Sequence, residues 1–117
     1  MKLENYLEDR WVAGSGDGAS LINPVTGEEL ARAGSDGLDL AAALRFAREQ
    51  GGPALCAMSY AERAAMLRAV ADVLTQNRDR YYGIALENSG NTKGDAAMDI
   101  DGGIGALKYY AAIGKSL

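Results

Sequence analysis

The sequence predicts an α+β fold that is mainly α, with a β-hairpin region over residues 1–35 and about four helices over residues 36–117. Two observations carry this prediction. Glycine, proline and Asp-Gly turn signals separate short strand-like segments in the first part of the chain. From residue 36 onward, apolar residues instead recur at the three- and four-residue spacing of amphipathic helices.

Composition limits the classes of protein that the chain can represent. Its 117 residues include 48% hydrophobic and 24% charged residues, which indicates one globular domain at most. The net charge of −4 and the lack of a Lys/Arg cluster predict no nucleic-acid partner. No apolar run is long enough to span a bilayer, and the N-terminus has no secretory signal, so we expect a cytoplasmic protein without membrane attachment.

The first 35 residues read as strands joined by turns. A strand over Tyr6–Val12 runs into Gly14–Gly18, whose glycines allow the positive φ of a hairpin loop. Ser20–Ile22 and Glu29–Ala33 flank a second turn at Asn23–Glu28, where Pro24 presets φ and Gly27 is permissive. The expected element is a small antiparallel sheet or two linked hairpins.

Helical spacing begins with Leu40, Leu44 and Ala47, and Gly51-Gly52-Pro53 predicts the end of that helix. Ser59 and Glu62 form a capping box at the start of the next helix, because each side chain can accept from a free backbone N–H. The stripe behind this box predicts Leu67 as a core anchor; its members are Leu67, Val70, Ala71 and Leu74.

Two further helices complete the pattern. After an interruption at Asn77-Arg78-Asp79, a third helix ends at Gly90; its predicted stripe is Tyr81, Ile84, Ala85 and Asn88. The last helix places four apolar residues on one face, namely Ile100, Ile104, Leu107 and Ala111. Its Gly102, Gly103 and Gly105 are poor helix formers, so we expect them to pack closely against a neighbouring backbone.

Gly14–Ala19 matches the dinucleotide-binding pattern G-x-G-x-x-A. That pattern binds pyrophosphate only where a strand precedes it and a helix follows it. Here a strand-like segment and Pro24 follow, which favours a hairpin loop. Lys93-Gly94 likewise lacks the spacing of a phosphate-binding P-loop.

Three acids near the start of the last helix, Asp95, Asp99 and Asp101, suggest a metal site. A calcium loop starting at Asp99 needs oxygen ligands further along, but Gly103 and Tyr110 stand at two of the required positions. Acids near a helix N-terminus are favoured by the helix dipole, and we take this simpler interpretation.

Cys56 is the one cysteine, and histidine is absent. Cys56 lies in the apolar segment Pro53–Met58 with no base nearby, so a buried hydrophobe is favoured over a nucleophile. Tyr81-Tyr82 and Tyr109-Tyr110 are adjacent pairs, so only one tyrosine of each pair can face a given core. The sequence thus predicts no catalytic, cofactor-binding or metal-binding residue.

Several short motifs, taken in order, resemble the N-terminal part of the aldehyde dehydrogenase family. They are Asn23-Pro24 with Thr26-Gly27-Glu28, Glu62-Arg63 with Leu67, Glu87 with Ser89-Gly90, and Tyr109-Tyr110-Ala111. The resemblance implies that residues 36–117 are the helical part of a partial cofactor-binding domain. It also implies a longer parent enzyme, in which a cysteine thiolate attacks the aldehyde, hydride passes to NAD or NADP, and a glutamate activates water. The motifs for those groups do not occur in this chain.

A narrower resemblance rests on segments between Gly37 and Gly105, including Pro53-Ala54-Leu55 and Asp99–Gly105. These look like bacterial aldehyde dehydrogenases that oxidise CoA-thioester semialdehydes in phenylacetate or benzoate degradation. Two branches stay open: the bifunctional oxepin-CoA hydrolase/semialdehyde dehydrogenases and the dehydroadipyl-CoA semialdehyde dehydrogenases. The partners implied are the remainder of the parent enzyme and further copies in a homo-oligomer, with no cofactor bound to this piece alone. The alternative is a self-contained helical interaction or scaffold module without enzymatic activity.

Overall fold

The computed structural model describes residues 1–117, which form two compact units, Met1–Ala54 and Leu55–Leu117. The strands are β1 (Asn5–Leu7), β2 (Arg10–Val12), β3 (Ala19–Ile22) and β4 (Glu29–Ala33). The helices are α1 (Leu40–Phe46), α2 (Gly52–Ala57), α3 (Tyr60–Gln76), α4 (Arg78–Ser89) and α5 (Lys93–Lys115). A mainly helical fold after an N-terminal hairpin region is therefore confirmed. None of the helices has the length and apolarity needed to cross a membrane.

Two separate antiparallel hairpins, β1–β2 and β3–β4, make up the strand region. The prediction of one strand over Tyr6–Val12 is wrong, because this segment folds back on itself and pairs Tyr6 with Trp11. The turn residues Glu8 and Asp9 both have positive φ, at 51° and 64°. Residues other than glycine seldom have positive φ, and no Asn-Gly or Asp-Gly pair marks this turn in the sequence. The Tyr6 hydroxyl donates to the Asp9 carboxylate across it.

The second hairpin closes at the predicted turn. The Asn23 side-chain oxygen accepts from the N–H groups of Val25 and Thr26 at 2.9 and 3.2 Å, and Gly27 has a φ of 77°. On the far edge of β4, a parallel bridge joins Lys2 to Arg32. The N-terminal residues therefore cover the edge that β3 leaves free.

The prediction that Gly51-Gly52-Pro53 ends the first helix is wrong. A π-helical turn over Ala47–Gly51 connects α1 to α2, and the Gly52 N–H donates to the carbonyl of Ala47. A proline within an α-helix cannot donate, and its ring clashes with the carbonyl four residues earlier. In the wider π-helical turn, each hydrogen bond joins residues that are five positions apart. This geometry lets the helical path continue into Pro53.

Helix α3 begins at the predicted capping box, in which Ser59 and Glu62 satisfy each other's backbone N–H groups. Its buried positions are Ala64 and Ala71, and Ala71 has an exposed fraction of 0%. The prediction of Leu67 as a core anchor is wrong, since Leu67 is only half-buried, and Val70 is 49% exposed. Of the predicted stripe, Ala71 is buried as expected, and the buried face extends to Ala64 instead of to Val70.

Helix α4 ends at Gly90, whose φ of 67° confirms the predicted left-handed cap. Its buried residue is Tyr82, whereas Ile84 from the predicted stripe is exposed. On α5, Ile104 and Ala111 are buried as the predicted face requires. The core is consequently small: no large side chain is fully buried, and most buried residues are alanines.

The glycines within α5 do not pack as predicted. A Cβ added to Gly102, Gly103 or Gly105 would meet nothing within 4 Å in this chain. Close approach occurs instead at Gly114, where a Cβ would lie 3.2 Å from the Cβ of Ala64. Because Ala64 lies near the start of α3 and Gly114 near the end of α5, these two helices run antiparallel.

Candidate functional site

The glycine-rich segment Gly14–Ala19 connects the two hairpins, so it is not the hairpin loop that the sequence predicts. Its glycines serve close backbone packing. A Cβ at Gly14 would lie 2.6 Å from the carbonyl oxygen of Gly34, and a Cβ at Gly18 would lie 2.7 Å from that of Ala33. Any side chain at either position would collide with the backbone at the end of β4 or directly after it.

The polar groups of this segment are also already engaged. The Ser15 N–H and hydroxyl both donate to the carbonyl of Asp36, at 2.7 and 2.9 Å. The carbonyls of Gly14 and Gly16 accept from the Lys2 ammonium. A strand follows instead of a helix, so no helix N-terminus is presented for a pyrophosphate. The geometry is that of a packed connection between hairpins.

Cys56 lies on α2 and is exposed, so its interpretation as a buried hydrophobe is wrong. The residues around it, from Pro53 to Ala57, are exposed as well, because α2 buries none of its side chains against this chain. No hydrogen bond involves the thiol, and no histidine is present to act as its base. Exposure alone does not make a nucleophile, which needs a stabilised thiolate.

Two of the three acids of α5, Asp95 and Asp101, make separate hydrogen bonds within the chain. Asp95 completes a capping box with Thr92, and the Thr92 hydroxyl and then its N–H hold the pKa of Asp95 below its ordinary value. Asp101 accepts from the Tyr82 hydroxyl at 2.9 Å. No three His, Cys, Asp or Glu side chains lie close enough together to hold a metal ion.

Only the first tyrosine pair is divided between the core and the surface. Tyr82 is buried while Tyr81 is half-buried. Tyr109 and Tyr110 are both exposed, with their rings edge to face at 5.4 Å between centroids. These rings lie on the side of α5 that α3 does not cover.

A groove with a volume of about 470 Å3 lies between α3 and α5. Alanines form its floor, and three cationic side chains stand along it. We call it the α3–α5 groove; its lining residues are Ala61, Ala64, Ala65, Arg68, Lys108, Ala111, Ala112 and Lys115.

Sequence reasoning missed this groove, although the sequence carries a signal for it. The lining residues of each helix follow the spacing i, i+3, i+4, i+7, ending in Arg68 on α3 and running from Lys108 to Lys115 on α5. This spacing places four residues on one helix face. Alanines at such positions let two helices approach closely, and the longer cationic side chains extend beyond them.

The charges of the groove are only partly neutralised. Arg68 donates through Nε to Asp72 at 3.0 Å, an exposed pair that leaves its terminal nitrogens free. Neither Lys108 nor Lys115 forms an ion pair. A second, smaller cavity continues from Lys108 towards Arg78 and Asp101. The groove is therefore locally cationic in a chain with a net charge of −4.

A different surface lies on the opposite side of α3, since helical rotation of 100° per residue separates Val70 and Val73 from Ala61 and Arg68. Val70 and Val73 are exposed, and the cavity they line has no polar wall. The apolar surface continues through Leu74 into a cavity between the three helices; that cavity is lined by Leu74, Tyr81, Asp99, Ile100, Gly103, Ile104 and Leu107.

Comparisons with known proteins extend these observations. The model of the aldehyde dehydrogenase family matches residues 11–117. The chain is 54% identical, over all 117 of its residues, to a 3,4-dehydroadipyl-CoA semialdehyde dehydrogenase of Aromatoleum evansii. It is 35% identical over 103 residues, 87% of the chain, to a vanillin dehydrogenase of Amycolatopsis sp.. It is 32% identical over 102 residues, 83% of the chain, to a chloroplastic betaine aldehyde dehydrogenase of Amaranthus hypochondriacus.

The fold is also similar to a solved structure, an NAD-dependent benzaldehyde dehydrogenase of Corynebacterium glutamicum. The TM-score is 0.85 at 24% identity, over 95% of this chain and 24% of the other. The chain covers 23%, 21% and 20% of the three curated relatives, so it spans less than a quarter of their length.

Proposed function

The chain belongs to the aldehyde dehydrogenase family, and from this premise we propose that it is the N-terminal part of an NAD(P)-dependent enzyme that oxidises a CoA-thioester semialdehyde in aromatic-compound degradation. The observation that carries the substrate class is the 54% identity, over the whole chain, to a CoA-linked semialdehyde dehydrogenase. Identity to the vanillin and betaine aldehyde enzymes is much lower, at 35% and 32%.

Within that enzyme, this part has a structural role. A compact monomer of this mass exposes about 6,100 Å2, and two separate compact units of half the mass would expose about 7,300 Å2. The chain exposes 8218 Å2, and its large apolar side chains lie mostly outside its own core. Such a surface is stable in water only when another surface covers it. We propose that the remainder of the same polypeptide covers the apolar side of α3.

We expect the nicotinamide cofactor site to lie in the remainder of the enzyme. Gly14–Ala19 alone has the dinucleotide pattern, and it is packed against β4 with its carbonyls on Lys2. A bound NAD or NADP would accept the hydride removed from the aldehyde. The groups that hold the cofactor and the thiolate that attacks the aldehyde would come from the remainder of the enzyme.

The test is to assay the full-length protein with a CoA-linked semialdehyde and with free aliphatic aldehydes, each with NAD⁺ and NADP⁺. We expect a higher kcat/KM for the CoA-linked substrate. A clear preference for free aldehydes would retain the family assignment and overturn the proposed substrate class.

The isolated chain is the companion control. It should reduce no cofactor with either substrate, because Cys56 has no base and no stabilising partner. In the full-length protein, Cys56→Ser should leave turnover unchanged. Turnover by the isolated chain, lost in Cys56→Ser, would show that the chain carries its own active site.

A further inference from the structure

We propose that the α3–α5 groove binds the phosphorylated adenosine end of the CoA-thioester substrate. This inference rests on the proposed function for the identity of the substrate. The structural basis of the inference does not depend on the proposed function. It is a groove of about 470 Å3 with an alanine floor and three cationic side chains.

The first argument is the size and shape of the groove. Cavities of roughly 300–1,000 Å3 are those that take small molecules and cofactors. The exposed floor residues Ala65 and Ala112 have no atoms beyond Cβ, so a flat adenine ring can lie against the two helices. A groove floored by leucines would have been filled by its own side chains.

The second argument is charge. CoA carries a diphosphate and a ribose phosphate, and a chain with a net charge of −4 repels such a molecule in general. The groove offers the opposite charge locally. Lys108 and Lys115 are seven residues apart on α5, which places them about 10.5 Å apart along the helix axis. Two cations at this separation can contact phosphates at different positions on one molecule.

The third argument is the state of Arg68. Its Nε is held by Asp72 at 3.0 Å, so the guanidinium is oriented before any ligand arrives. The terminal nitrogens remain available, and a guanidinium can donate two parallel hydrogen bonds to a phosphate. Arg68 would therefore be a substrate-positioning residue, remote from the aldehyde, that raises affinity without taking part in the chemical step.

NADP also carries a phosphorylated adenosine, so the experiment has to separate the two ligands. In the full-length enzyme, Arg68→Ala and Lys115→Ala are compared with Lys93→Ala, a control on the helix of Lys115 but outside the groove. The KM and kcat are measured for the CoA-linked semialdehyde and for NADP⁺, and the binding of CoA itself is measured by calorimetry. Ala112→Leu tests the floor without changing charge.

We expect Arg68→Ala to raise the KM for the CoA-linked semialdehyde by about tenfold with kcat and the KM for NADP⁺ unchanged, as loss of a charged hydrogen bond implies. CoA binding should weaken in parallel and should weaken further with added salt. Arg68→Lys should restore part of the affinity, and Ala112→Leu should reduce it. Lys93→Ala should behave as wild type.

Unchanged KM and CoA affinity in the groove variants, in an enzyme that does oxidise CoA-linked semialdehydes, would overturn the groove assignment alone. A rise in the KM for NADP⁺ instead would assign the groove to the cofactor and also overturn it. If the wild type prefers free aldehydes but binds CoA through Arg68, the groove stands and the proposed reaction fails.

Discussion

The hydroxyl of Tyr82 donates to the carboxylate of Asp101, with both carboxylate oxygens 2.9 Å away. This contact joins α4 to α5 in a unit whose core otherwise consists mainly of alanines. Tyr82 is the one large aromatic side chain buried in the chain. The ring of Tyr82 is part of the core. The Asp101 carboxylate gives the buried hydroxyl the hydrogen-bond partner that water would otherwise supply.

Tyr82→Phe should lower the melting temperature more than Tyr81→Phe does. Both changes remove one hydroxyl, but no hydrogen bond of the Tyr81 hydroxyl is present in the structure, whereas that of Tyr82 is bonded to Asp101. The hydrogen bond to Asp101, and then burial, raise the pKa of the Tyr82 phenol. Its stabilising contribution is therefore complete below the pKa of a free tyrosine and is lost as pH rises through the folded pKa. Equal melting temperatures for the two variants would contradict this role.

Gly18→Ala should destabilise the first unit more than Gly27→Ala. Both glycines have positive φ, at 70° and 77°, so both substitutions carry the same backbone strain, about 1–2 kcal/mol. Only at Gly18 would the new Cβ also meet a backbone oxygen, 2.7 Å away on Ala33. Chemical denaturation of both variants measures the difference. Similar unfolding free energies would mean that the connection between the hairpins is not closely packed.

Helix α3 should lose stability on acidification through its capping box. The Ser59 N–H, and then its hydroxyl, hold the pKa of Glu62 below its ordinary value. Because the folded pKa of Glu62 is lowered, its stabilising contribution is complete above the pKa of a free glutamate and is lost as pH falls through the folded pKa. Circular dichroism should show a weaker acid transition in Glu62→Gln, which caps without titrating. Glu87→Gln, the same substitution at an exposed position of α4 outside any capping box, is the control.

Gly102→Ala should stabilise the isolated chain by about 0.5–1 kcal/mol, because alanine is the better helix former. Its Cβ enters open space. Gly114→Ala should gain less or lose stability, since its Cβ meets that of Ala64 at 3.2 Å. If Gly102→Ala stabilises the isolated chain but impairs the full-length enzyme, the remainder of the polypeptide approaches α5 at this glycine. Destabilisation of the isolated chain would contradict the open environment.

The isolated chain should self-associate through the apolar side of α3. Val70→Lys and Val73→Lys place a charge on this exposed surface and should shift the chain towards monomers in light scattering. Ala65→Lys adds the same charge on the opposite side of α3 and should change association little. A wild-type chain that stays monomeric at high concentration would instead favour a self-contained module.

The sequence alone determined the features that depend on neighbours along the chain. The capping box at Ser59, the Asn23 turn and the Gly90 cap follow from residue types at fixed offsets, and the structure has all three. The α5 face with Ile104 and Ala111 follows from helical spacing. The family resemblance likewise rests on short motifs in order, and the comparisons confirm it.

Only the tertiary structure decided which apolar positions are inside. The predicted stripe on α3 includes Ala71, which is buried, but it also includes Val70 and omits Ala64. Ala64 is buried and Val70 is exposed, because close helix packing selects the smallest side chain. Cys56 and the α5 glycines were misjudged for a related reason: burial depends on what a residue meets in space. The α3–α5 groove also depends on the fold. It forms because the antiparallel packing of α3 and α5 brings the helix face that carries Arg68 next to the face that carries Lys108.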